Sequence, residues 1–553
     1  MPPRTKVSVL GVVYLLGGLT LFSYAMLHGS DAVPIVLALL WFDARMNSEG
    51  ATAMSRIRDR ILEQAGRSMK LIRIAVVGLL SGCASVPSPS TPPAADLALV
   101  GVTVVDVESG ELRPNQTVFI RGNYIVAVGP AGATPLLAGR VVDARGKYVI
   151  PGLWDMHVHL FRHGSGPGPQ NRAAEFPLFL ANGVTGVRDM WTDLDDIKLI
   201  QQWNRESDSG VLLAPRIQAT GPVIDGSPPV WAGSLVAARA EDAGALVDSL
   251  VRGGANALKV YTRLQRDVYL ALMSEARLRG LDVVGHVPAS ILAAEASDAG
   301  QRTIEHLQVT DDCSTDADEI TKMRRESSRQ GDPRVLARLL ETYSDTLCSS
   351  LFERLVRNET WQVPTLVVLR QAALRGDRAF LDAIRLHPGL RYIYQTERDG
   401  WEAQSSQAVA RATPQGVDLS RRALQNRLHI VGGMHRAGVP LLAGSDMGNP
   451  FLVAGFSLLD ELAMLVSAGL TPLAALQAAT SSPARYFHAT DSLGTVAPGK
   501  LADLVVLDAD PLRDIRNAQR IHAVVVNGRL LDRTELDAML RGAEERARES
   551  TPR

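Results

Sequence analysis

Residues 151–160 read PGLWDMHVHL, and within them Asp155-Met156-His157-Val158-His159 sets two histidines two apart at the end of a β-rich run. Side chains on a strand alternate between faces, so a spacing of two puts both imidazoles on one face, where they can ligate one ion. Pro151-Gly152 before the pair and Phe161-Arg162-His163-Gly164 after it mark a strand leaving through a loop. Outward from this point the chain alternates. Strands are expected at 149–157, 184–189, 216–220, 255–261, 281–287, 303–306, 362–368 and 439–446, with helical patterns such as 235–252 and 267–278 between most of them. Eight strands alternating with helices predict an α/β fold, a (β/α)₈ TIM-like barrel over 149–487. Excess length falls at about 308–421, where charged helices such as 333–342 read as an insertion able to wall a pocket.

The flanks read differently. Short β-rich runs separated by turns fill 97–148 and recur over 488–535. Neither region is long enough for a core of its own, so both ends of the body are expected to share one small β-sandwich domain. Residues 536–553 are left as a carboxy-terminal tail. Two further histidines and a carboxylate follow the pattern of the first pair. His286 closes VVGHVP, His306 closes TIEHL and Asp446 ends LLAGSD, each at the carboxyl end of a predicted strand. Barrel enzymes place their chemistry there, and four histidines with a carboxylate make a divalent-metal site, best suited to zinc. Arg188 and Asp189 in GVRDM read as a structural pair near the barrel mouth.

Composition narrows the class. The 553 residues carry 58 Lys+Arg against 59 Asp+Glu, with 46% hydrophobic and 21% charged residues. Such a balance argues against a disordered chain, a collagen, a coiled coil or a basic nucleic-acid binder. Apolarity is concentrated at the amino terminus. Residues 7–30 carry no formal charge over about the length that spans a membrane. A second signal occupies 69–83: basic Met69-Lys70-Leu71-Ile72-Arg73, a compact apolar core, then Leu80-Ser81-Gly82-Cys83. That tetrapeptide resembles a bacterial lipobox, with Cys83 as the lipidated residue, and a Pro/Ser spacer over 84–96 follows it. The signals compete: either translation starts at Met54 or Met69 and 1–68 is an over-extended frame, or 7–30 is a transmembrane anchor. Both put the body on the periplasmic side of a cell envelope, tethered to the membrane. Cys313 and Cys348 then lie where disulfides persist, as a pair or as two buried thiols.

In order along the chain, PGLWDMHVHL, NGVTGVRDM, ALKVY, VVGHVP, TIEHL and LLAGSDMG resemble the landmarks of the metal-dependent amidohydrolase superfamily. The match is to its imidazolonepropionase-related branch, which holds prolidase-like and Xaa-Arg dipeptidases and ochratoxin-type amidohydrolases. The resemblance implies two divalent ions, His157, His159 and Asp446 on one, His286 and His306 on the other. It also implies that Lys259 of ALKVY carries a CO₂-derived carbamate bridging both. It further implies that a metal-bridging hydroxide attacks an amide carbonyl of a dipeptide or N-acyl amino acid, with Asp446 as general acid/base. Tyr261, two residues beyond Lys259 on the same face, is placed to donate to the oxyanion. A lactonase, phosphotriesterase or cyclic-amide hydrolase on the same site, and a non-catalytic lipid-anchored binding protein, are the competing readings. A one-metal deaminase fits less well, because that subgroup lacks the lysine. The expected partner is a small amide or peptide, not a nucleic acid, and oligomeric state is open.

Overall fold

The computed structural model describes residues 95–133, 138–161, 172–327 and 332–548, all within the unit 92–553. The apolar run at 7–30, the lipobox with Cys83 and the Pro/Ser spacer lie outside the described residues. No helix among the described residues is long and apolar enough to cross a membrane.

Both ends of the body build one eight-stranded sheet. The first five strands are β1 (Ala95–Val105), β2 (Leu112–Arg121), β3 (Tyr124–Pro130), β4 (Ala138–Asp143) and β5 (Tyr148–Pro151). Leu504–Leu507, Ile521–Val526 and Arg529–Leu531 come from the far end, and the first of these pairs antiparallel with β5, Val505 opposite Ile150. The last two strands are joined through Asn527 and Gly528, both at positive φ, the conformation a two-residue type I′ hairpin requires. Hydrogen bonding therefore joins the strands of both ends into one sheet. Alternation explains why its inner strands are apolar on both faces. Leu504, Val506, Ala523 and Val525 pack into the sheet's own core, whereas Val505, Leu507, Val524 and Val526 face the main core of the chain.

The middle of the chain is a mixed α/β arrangement of parallel strands, consistent with a TIM-barrel type. The strands β6 (Leu153–Val158), β7 (Val184–Asp189) and β8 (Arg216–Ala219) form one parallel sheet. A six-stranded parallel sheet contains β9 (Val223–Asp225), β10 (Leu235–Val236), β11 (Ala257–Val260), β12 (Asp282–Gly285), β13 (Thr303–Glu305) and β14 (Trp361–Val363). Residues 439–446, expected as a strand, make only isolated bridges. Gln362 N–H donates to Pro440 on one side, and Met156 N–H donates to Ala443 on the other.

Other expectations shift locally. The helix expected over 235–252 begins only at Ala243, because Leu235 and Val236 pair with β9. The tail beyond 536 is largely the helix Arg533–Ala547, which buries Leu536, Ala543 and Ala547. The strand expected over 362–368 stops at Val363, and Leu366–Leu374 is a helix. Its first two amides donate to the buried Glu461 carboxylate, 2.8 Å from each oxygen. A carboxyl group from a distant helix thus satisfies orphan donors at this helix start.

Burial pushes the Glu461 carboxyl up to about 8, with the two backbone donors pulling the other way. Between the unfolded value of about 4.3 and that folded value, the folded chain keeps a proton the unfolded chain has lost. Stability therefore falls as pH rises through this window. Melting temperatures measured from pH 5 to 8 are expected to fall less steeply for Glu461→Gln than for the wild type. Parallel slopes would show that Glu461 does not titrate there.

Candidate metal centre

The strand β6 delivers His157 and His159 to the same end as Asp446, which follows the bridging segment. His157 Nε2 lies 3.4 Å and His159 Nε2 3.0 Å from Asp446 Oδ1, and one ligand atom from each residue falls within 4.8 Å of the others. His306 joins them, its Nδ1 3.8 Å from Asp446 Oδ2. Ring centroids are 4.7 Å apart for His157 and His306, and 5.1 Å for His286 and His306. All four histidines and Asp446 thus converge. His306 and Asp446 both hold positive φ, 58° and 60°, an uncommon backbone state for residues with a side chain and one that clusters at working sites. Two glycines leave the room: a Cβ on Gly444 would lie 2.9 Å from His157 Cβ, and one on Gly448 would lie 2.8 Å from His159 Cβ.

Hydrogen bonds orient the imidazoles. His157 donates from Nδ1 to Glu305 Oε2 at 2.8 Å, which leaves the Nε2 lone pair to face inward. His306 Nδ1 sits 2.7 Å from Thr365 Oγ1, and His286 Nδ1 sits 2.9 Å from Thr262 Oγ1 and 3.1 Å from Gln308 Nε2. Burial holds His157 and His286 well below the ordinary imidazole range, so both stay neutral and fit to bind a cation. Neither His157 Nε2 nor Asp446 Oδ1 makes a hydrogen bond, although both atoms are buried. Buried polar atoms are seldom left unsatisfied, and this pair is what a cation requires of its ligands.

Lys259 projects from β11, whose four residues are all buried. It is 1% exposed, and its ammonium makes no hydrogen bond or ion pair among the described residues. Burial lowers it to about 8, against the pull of Glu305 and Asp446. Tyr261 lies just past the same strand and stacks on His286, centroids 3.8 Å apart and planes at 26°.

Glu305 has no role in the sequence reading. Its other oxygen accepts from Arg188 Nη2 at 2.9 Å, and Arg188 in turn donates from Nε to the Met156 carbonyl at 2.7 Å. Arg188 also donates to the Tyr486 hydroxyl at 3.2 Å. The expected pairing of Arg188 with Asp189 is replaced by this network. Adjacent strand residues point to opposite faces, and Asp189 instead accepts from Leu160 N–H at 2.6 Å. The available signal was a lone carboxylate inside TIEHL, immediately before a candidate ligand. Away from the centre, Cys313 and Cys348 are joined by a disulfide, Cα atoms 4.5 Å apart.

Residues 399–531 match the model of the amidohydrolase family. A solved bottromycin amidohydrolase shares 25% identity and superposes with a TM-score of 0.64, covering 81% of this chain and 90% of its own. A prolidase-type structure from Bifidobacterium longum shares 24% identity with a TM-score of 0.54, covering 81% and 98%, a likeness of fold. Among curated proteins, an adenine deaminase of Rubrobacter xylanophilus is 43% identical over 67 residues, 12% of this chain. The chain spans only 11% of that relative's length. The sequence likenesses cover part of the chain, and the structural ones support an amidohydrolase-type α/β fold.

Proposed function

We propose that the chain is a binuclear metal-dependent hydrolase cleaving the amide of a dipeptide or N-acyl amino acid. The observation that carries this reading is Lys259, a buried lysine beside His157, His286, His306 and Asp446, with no hydrogen bond or ion pair among the described residues. A bare ammonium there is costly, and cations nearby would repel it. Carboxylated by CO₂, the same side chain becomes an anion with two oxygens, suited to hold two ions close. His157, His159 and Asp446 are assigned to one ion, His286 and His306 to the other, with Lys259 between them. Zinc suits this nitrogen and oxygen donor set. When bound, such ions supply hydroxide near neutral pH and polarise a carbonyl.

The chain's own residues do the remaining work. Glu305 fixes the tautomer of His157, and Thr365 and Thr262 hold the rings of His306 and His286. Asp446, set against His157 and His159, takes the proton of the nucleophile and passes it to the leaving nitrogen. The Tyr261 hydroxyl donates to the developing oxyanion.

We also read the two parallel sheets as a single (β/α)₈ barrel. The bonds of 440–447 to β14 and β6, and of Asn256 N–H to Ala219 at 2.8 Å, support closure. The Cys313–Cys348 disulfide and the lipobox together favour a tethered, periplasmic location.

The test is a hydrolysis screen of the zinc-loaded protein with its metal content measured. Turnover of dipeptides or N-acyl amino acids, with about two ions per chain, is the expected result. Turnover confined to lactones, phosphotriesters or adenine would reassign the bond cleaved. No turnover and no bound metal would favour a binding protein.

A further inference from the structure

Beyond the metal centre, the loop after β9 holds an exposed tryptophan against a site residue. Trp231 is 47% exposed, while the other described tryptophans, at positions 154, 191, 203, 361 and 401, are each below 9%. Its indole N–H donates to the Tyr261 hydroxyl at 2.8 Å, and Tyr261 stacks on His286. Trp231 therefore stands one hydrogen bond and one ring stack from a candidate metal ligand.

The loop that carries it is strapped down. Asp225, buried at the end of β9, accepts from Gly226 N–H at 2.9 Å and Val230 N–H at 2.8 Å. The same carboxylate accepts from Arg263 N–H at 2.6 Å, which ties the loop to the segment that follows β11. Arg263 returns the tie, donating to the Pro228 carbonyl at 2.9 Å. The two backbones are so close that a Cβ on Gly226 would fall 2.0 Å from the Arg263 oxygen. Exposed apolar rings normally sit on surfaces that do not constrain them. Here four polar ties hold one in place beside a buried phenol, which is the form of a preorganised contact surface.

The phenol has a second property. Its oxygen accepts from Trp231, and among the described residues no acceptor takes its own proton. With one lone pair engaged, the hydroxyl proton is turned away from the indole and free for a ligand oxygen.

We infer that Trp231 is a specificity-determining residue, its exposed ring receiving a large apolar or aromatic side chain on the acyl side of the scissile amide. The inference rests on the amide-hydrolase reading. Tyr261 donates to the carbonyl oxygen, so the substituent on that carbonyl carbon is the part of the substrate nearest the indole. Aromatic and apolar groups gain by stacking on such a ring, and a glycyl or acetyl group does not. The indole N–H meanwhile makes Trp231 a positioning residue for the Tyr261 proton.

The experiment uses the full, zinc-loaded protein, with Trp231→Ala and Trp231→Phe beside the wild type. Intrinsic fluorescence is titrated with 3-phenylpropanoate and with propanoate, mimics of an aromatic and a small acyl product. The expected result is a saturable spectral shift with 3-phenylpropanoate alone, abolished in Trp231→Ala. In kinetics, the kcat/KM preference for phenylalanyl over glycyl amides is expected to fall about tenfold in Trp231→Ala. Trp231→Phe, which keeps a ring and loses the N–H, is expected to retain the preference while kcat falls and KM holds. An unchanged spectral shift or an unchanged preference in Trp231→Ala overturns the inference. Absence of amide turnover in the wild type would instead refute the hydrolase reading, and the titration would still decide whether Trp231 lines a binding surface. Bound metal should match across all three proteins, and Trp231→Leu, which also removes the ring, replaces the alanine variant if that fails to fold.

Discussion

Lys259→Met is expected to lower kcat/KM by at least about 10³-fold, because it removes the only nitrogen on β11 that can become a bridging anion. Methionine keeps the length and volume of the stem, so packing around β11 is preserved. Bound metal should drop from about two ions per chain to about one or fewer. The stability of the metal-free protein should hold or rise, since burial of the ammonium outweighs the pull of Glu305 and Asp446. That combination separates a ligand role from a structural one, which would lose stability together with activity. A further sign is carbon dioxide. Reactivation of the metal-stripped wild type by zinc should require bicarbonate, and the variant should not respond. Full activity with two ions bound in Lys259→Met would overturn the carbamate assignment.

Glu305→Ala is expected to be the most destabilising single change near the centre. Its two oxygens serve different partners, His157 at 2.8 Å and Arg188 at 2.9 Å, and all three side chains are buried. Truncation leaves the Arg188 guanidinium without its counter-charge in the interior, a loss of about 3–5 kcal/mol in denaturant unfolding. His157 simultaneously loses the acceptor that fixes its tautomer, which should weaken metal binding by about 10–100-fold in a competition titration. Glu305→Gln, able to satisfy only part of the network, should fall between. A stability change below about 1 kcal/mol in the alanine variant would remove Glu305 from this role.

The four histidines and Asp446 were legible because their signal is local. A two-residue spacing selects one face of a strand, and an apolar run ending in a polar residue marks where that strand stops. The same local rules misplaced 362–368. Its β-branched run reads as a strand, but Thr365 turns at φ 46° and the chain enters a helix there. What decides this is Glu461, nearly a hundred positions away, accepting the first two helical amides. The small sheet domain shows the same division between local and distant information. Two apolar ends imply a shared core, yet only the pairing of β5 with Leu504–Leu507 makes them one sheet.

From sequence alone came the alternating strand and helix plan, the candidate ligand types at the strand ends and the shared use of both ends of the body. Only the tertiary structure decided that Glu305 orients His157, that Arg188 answers Glu305 rather than Asp189, that Lys259 is buried beside Glu305 and Asp446, and that Trp231 meets Tyr261. The physical reason is that periodicity sets which way a side chain points. What it then touches depends on groups brought in from elsewhere in the chain, as when Tyr486 reaches Arg188 across 298 positions of sequence.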